Sequence, residues 1–130
     1  MPTQTASELF VEDRATVTAT LAEQLAQNRY IEQLRAVSKS ELSAMIDRIL
    51  DQYGQWSGGD EHALADCLDL VGNMCFALSI PLAEAAYGLY ALRDGIQAMI
   101  SAGATGEKSD TLKRVNSFFE ALVRGLLRRY

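Results

Sequence analysis

Proline is scarce: the 130 residues hold two. Little therefore interrupts a helix, because proline is the residue that removes a helical donor and clashes with the preceding turn. Alternation of apolar and polar residues is also missing, and it is the mark of a half-buried strand. Histidine occurs once, at His62. A haem-binding globin uses a proximal ligand, commonly histidine, facing a pocket. A lone histidine at a helix start beside a loop reads instead as a solvated residue. Cysteine occurs twice, at Cys67 and Cys75. On one helix these lie about 12 Å apart along the axis at ~1.5 Å per residue, beyond the reach of ~7 Å between Cα atoms that a disulfide allows. Two buried, reduced thiols are expected.

No apolar run approaches the ~20 residues of a membrane span. The first residues, "MPTQTASELFVEDR", carry acids and no basic-then-apolar pattern, so no secretion peptide is read there and the cytoplasm is the expected compartment. Basic charge is in deficit: 12 Lys and Arg stand against 17 Asp and Glu, a net charge of −5. Nucleic-acid binding wants a basic face, so no nucleic acid is expected as a partner. The apolar share of 48% and charged share of 22% are those of a globular chain. The length suits one domain, residues 1–130, with a core of useful size.

What is present is helical periodicity. The pattern predicts an all-α fold of five helices, a bundle or a globin-like arrangement. The first helix is expected over Thr5–Asn28, with Leu9, Phe10, Val17, Leu21 and Leu25 as its stripe. The second is expected over Lys39–Trp56, opened by a capping box from Ser38 to Glu41 and stopped by Gly58 and Gly59. The third runs over Asp60–Ala77, with a wide apolar arc from Ala63 to Leu78. In the fourth, "SIPLAEAAYGLYALRDGIQAMI", Pro81 suits the first helical position and Gly103 ends the helix. The fifth is expected over Asp110–Tyr130, with Ser109 as its cap. Its residues Leu112, Val115, Phe119, Leu122 and Leu126 step by three and four, the spacing of a coiled-coil seam. Phe118, Val123 and Leu127 add a second stripe. The seam faces either the chain's own core or a partner copy.

Catalytic and cofactor signatures are thin. No Glu precedes His62 at di-iron spacing. His62 and Cys67 turn about 140° away from each other on a shared helix, which separates a nucleophile from its base. No phosphate-cradling glycine loop or nucleophile elbow occurs. No enzyme activity, metal or cofactor is therefore expected. Aromatic and sulfur side chains offer one alternative. Trp56, Met74, Cys75, Met99, Tyr87 and Tyr90 either fill the core or line a small apolar cavity edged by hydroxyls, able to take a small-molecule ligand. Arg93 stands among apolar positions, so it either snorkels at the edge of the stripe or pairs with a carboxylate, Glu84 and Asp47 being conceivable. Its neighbour Asp94 faces elsewhere on an ideal helix.

The order of features, from "YIEQLRAVSKSELSAMIDRILDQY" through "CFALSIPLAEAAYGLYALRDGI" to a long final helix, resembles the N-terminal domain of the RsbR and RsbRD group, co-antagonists of bacterial stressosomes. The likeness covers about Phe10 to Tyr130. It is sharpest in "SIPLAEAAYGLYALRDGI", where Glu84 stands for the family's helix-opening Glu and Leu92–Arg93 for its apolar-Arg pair. The resemblance implies a globin-like fold that generally holds no haem, a homodimer, and an input role in signalling. In RsbR proteins a phosphorylatable STAS domain follows. None occurs in these residues: either they are a piece of a longer chain or they stand alone, and in the stand-alone case output through a downstream regulatory partner is expected. The competing expectation is a globin-like sensor carrying haem or bilin.

Overall fold

The computed structural model describes residues 14–28, 31–32, 36–102 and 108–129. Among the described residues it is an all-α bundle with five helices: α1 Arg14–Ala26, α2 Lys39–Ser57, α3 Ala63–Ala77, α4 Leu82–Ala102 and α5 Lys108–Arg129. Thr5–Asp13, with Leu9 and Phe10, and the expected stop at Gly103 lie outside the described residues.

Local chemistry sets the helix ends. Ser38 Oγ accepts from the Glu41 amide at 3.2 Å, so the expected cap opens α2. At the other end Gly59 adopts φ +105°. The Asp60 amide then reaches the Gln55 carbonyl at 3.0 Å and the Gly59 amide reaches Trp56 at 3.1 Å. That pair of bonds satisfies carbonyls the helix leaves open. α3 begins at Ala63 rather than Asp60, because the Asp60 carboxylate accepts from the His62 amide at 2.9 Å and holds the intervening residues in a turn.

The end of α3 repeats the α2 device without glycine. Ser79 takes φ +54°, while the Ile80 amide donates to the Cys75 carbonyl at 2.8 Å and Ser79 to Phe76 at 3.3 Å. Ile80 is buried, which anchors the turn. Pro81 precedes α4 by one residue, its carbonyl accepting from Ala85 at 2.9 Å. α5 starts at Lys108, so Ser109 lies inside the helix instead of capping it.

Ion pairs and hydrogen bonds report the packing directions. Arg14 reaches Asp47 at 3.0 Å and Asp51 at 2.8 Å, while Lys39 meets Glu23 at 2.6 Å, so α1 and α2 run antiparallel. Gln97 donates to the Leu112 carbonyl at 3.3 Å and Arg93 to Asn116 at 3.1 Å, which pairs α4 antiparallel to α5. α3 and α5 run parallel, with Gly125 against Leu68 and Arg129 ion-paired to Asp69. Gly125 permits that close approach, since a Cβ there would overlap the Leu68 side chain.

The core draws on all five helices: Leu21, Ile46, Ile49, Leu50, Cys67, Leu92, Ile96, Phe118, Phe119 and Leu122 are buried. Phe118 is its aromatic hub. Its ring meets Tyr53 edge-on at 5.4 Å, Trp56 at 5.3 Å and Phe119 edge-on at 5.6 Å. Edge-to-face pairs of this kind add to simple area burial.

Candidate functional site

Met99 packs against the core, and the other candidates, Trp56, Met74, Cys75, Tyr87, Tyr90 and Arg93, separate into three places. Trp56 belongs to the aromatic hub, where Arg114 sits over its ring at 5.9 Å and donates to the Ser57 carbonyl at 2.8 Å. A guanidinium at the last carbonyls of α2 meets the negative end of that helix. Met74 and Cys75 line an apolar void of about 20 Å³ between α2, α3 and α4. A void of that size holds about one water at most, and an apolar lining keeps it dry. A haem or bilin would need far more room. Around Met74 and Cys75 the described residues thus pack as core, the first of the two alternatives.

Tyr87, Tyr90 and Arg93 lie elsewhere, on the outer side of α4. With Asn28, Ala91, Asp94 and Glu120 they line an open groove of about 470 Å³. Tyr87 is 46% exposed, so it does not face inward. Arg93 is held on several sides. Its Nε and one terminal nitrogen donate to Asp94 Oδ1 at 3.1 and 2.9 Å, and the other donates to Asn116 Oδ1 at 3.1 Å. Its guanidinium also stands 4.7 Å from the centre of the Tyr90 ring, a cation–π contact. The carboxylate partner is thus Asp94, not Glu84 or Asp47; Asp47 is taken by Arg14. The long Arg93 side chain folds back along the helix to a neighbour that points away on an ideal wheel.

The expected partner seam needs the same correction. Val115, Phe119, Leu122 and Leu126 are at most 1% exposed within a single chain, and Leu112 packs against the same core. Those four have no apolar surface left for a partner, while Leu112 is half-buried. Of the second stripe, Phe118 and Val123 are also buried, whereas Leu127 is 56% exposed. Phe76 and Leu78, at the end of α3, are exposed at 54% and 38%.

A second open groove, of about 680 Å³, runs between α2 and α3. Half-buried Met45, Leu70 and Met74 line it, with Glu41, Asp66, Asp69 and Arg48 at its rim. The residue pattern gives no sign of this groove, nor of Asn116 and Glu120 at the other, and helical phase points Asp94 away from Arg93. Asn116 and Glu120 lie four apart beside the apolar seam of α5, a polar pair that marks the edge of a buried face.

Reactive groups are placed away from both grooves. His62 is exposed ahead of α3. Cys67 is fully buried, and burial pushes its thiol up to about 12. A thiol that stays protonated at neutral pH is no nucleophile. Among the described residues no three His, Cys, Asp or Glu side chains gather as a metal site, and no helix is long and apolar enough to cross a membrane. The arrangement offers surfaces with apolar floors and fixed charges, which suit contact with another polypeptide. No protein-family model, no curated protein and no solved structure matches the chain.

Proposed function

We propose that the chain is a non-catalytic input domain of a bacterial stress-response or related regulatory system, acting through contacts between copies or with a downstream partner. The observation that carries this reading is the set of large apolar side chains left on the surface: Phe76, Leu78, Tyr87 and Leu127. Scattered exposed leucines are ordinary. Here Phe76 and Leu78 adjoin the turn into α4, Tyr87 lies in the first half of α4, and Leu127 ends α5. The antiparallel pairing of α4 with α5, and the parallel run of α3 with α5, bring those segments to one end of the bundle. Apolar surface gathered in one region marks interaction sites.

The Arg93 clamp supplies a route inward. It ties α4 to α5 through Asn116 and stacks on Tyr90, so a contact that displaces Tyr90 would disturb the link between two packed helices. Small helix shifts are a common way for regulatory domains to pass a signal. The resemblance to stressosome co-antagonist domains supports the same role.

Sedimentation velocity on the purified chain tests this. Species heavier than one chain are expected at tens of micromolar. Replacing Tyr87 and Phe76 by serine is expected to move the distribution toward single chains while the helical circular dichroism is kept. A strictly single-chain species throughout that range overturns self-contact as the mode of action.

A further inference from the structure

We propose that the basic end of α5 from one copy docks into the α2–α3 groove of a second copy. This rests on the self-association just proposed and gives an address to one of its exposed side chains, Leu127.

The donor is a small patch with one chemistry. Arg124, Leu127 and Arg128 stand at i, i+3 and i+4 on the last turns of α5 and therefore share a face. Leu127 is 56% exposed, and the Arg124 side chain is 71% exposed. Arg124 has only a 3.5 Å contact to Glu120, and Arg128 has no ion pair among the described residues. Residues 121–130 hold no acidic side chain. On a chain of net charge −5 this is a local concentration of positive charge around one exposed leucine.

The acceptor has the complementary pattern. Half-buried Met45, Leu70 and Met74 give the α2–α3 groove an apolar floor, and three carboxylates, Glu41, Asp66 and Asp69, stand at its rim with one cation, Arg48. Asp69 already holds Arg129 of its own chain. Glu41 and Asp66 are exposed, and their carboxylates make no ion pair among the described residues. The lining residues span Asp66 to Met74 on α3, about 12 Å at ~1.5 Å per residue, or two turns. The face from Arg124 to Arg128, about 6 Å or one turn long, sits within that length, with Leu127 on the floor and the arginines toward the rim. An apolar anchor in a groove with charge at its edge is how amphipathic helices are recognised. Because donor and acceptor are different patches, a two-fold dimer makes the contact twice.

The test is a reciprocal charge reversal, read by sedimentation equilibrium at low salt. One variant carries Arg124→Glu and Arg128→Glu; the other carries Glu41→Lys and Asp66→Lys. All substituted side chains are exposed, and circular dichroism melts check that both variants fold. Alone, each variant opposes like charges at both copies of the contact, and its association is expected to weaken at least about tenfold relative to the unmodified chain, the order expected for a few lost charge pairs. Mixed one to one, the reversed α5 end of the first meets the reversed groove of the second, and the unmodified end meets the unmodified groove. Association of the mixture is expected to return. Leu127→Ser, which leaves every charge in place, is expected to weaken association too.

If the unmodified chain associates but either reversed variant associates equally well, or the mixture stays apart, this placement of the interface is overturned while self-association stands. If the unmodified chain never associates, both proposals fall.

Discussion

Leu126 and Leu127 are sequence neighbours at the end of α5, and they live in different environments. Leu126 is wholly buried beneath α3, with Val115, Phe119 and Leu122 preceding it along the seam. Leu127, turned about 100° around the helix, is 56% exposed between Arg124 and Arg128. The seam is a fold determinant. In the last turn Leu127 stays on the surface of the single chain, while Arg129 ties the same turn to Asp69 of α3. Heptad-like spacing alone does not distinguish these roles. It says that a face is buried, not in what.

The sharpest way to break this contrast is at the aromatic hub on the buried face. Phe118→Ala removes a fully buried ring in contact with Tyr53, Trp56 and Phe119. A loss of about 3–5 kcal/mol is expected in a urea melt, the range for aromatic-to-alanine cavities. The paired leucines come next. Leu126→Ala is expected to cost about 2–5 kcal/mol as a buried truncation, and Leu127→Ala to stay within about 0.5 kcal/mol as a surface change. Equal costs would erase the distinction between the two faces.

A buried thiol gives a pH test of the same interior. Burial raises Cys67 from an ordinary 9.0 to about 12. Below the unfolded value both states keep the proton, and the contribution is constant. Above it the unfolded chain releases a proton that the folded chain retains, so stability falls as pH rises through this window. The slope contributed by Cys67 approaches about 1.4 kcal/mol per pH unit. Melts between pH 8 and pH 11 are expected to decline less steeply for Cys67→Ala than for the unmodified chain; parallel declines would mean the thiol is hydrated. The smallest effect concerns the turn after α3. Ser79 carries φ +54°, a conformation that costs a side chain about 1 kcal/mol. Ser79→Gly is expected to raise stability by up to about that amount, less what glycine gives back as unfolded-chain entropy.

Much of the fold is legible in the residue pattern, for reasons that differ by element. α2 is bounded by Ser38 and by Gly58–Gly59, and both signals act locally through backbone hydrogen bonds. The end of α3 is less readable, because a serine stands where the left-handed turn favours glycine. The start of α5 is shifted because Ser109 resembles a cap yet lies in the helix. The candidate sites were legible only in part. Tyr87 and Tyr90 share a side of α4, as their spacing requires, but tyrosine is at home both in a core and at a surface, so the spacing leaves the direction open. The Arg93–Asp94 pair is hidden because it depends on side-chain reach rather than on helical phase. The α2–α3 groove is hidden because it forms between helices and belongs to neither sequence segment alone.

Backbone hydrogen exchange along α5, measured at protein concentrations below and above the onset of self-association, tests the central claim most directly. Amides from Val115 to Leu126 are predicted to exchange equally slowly at both concentrations, because their side chains are buried by the chain's own helices. Protection of that stretch only at the higher concentration would place the seam between copies and contradict the account.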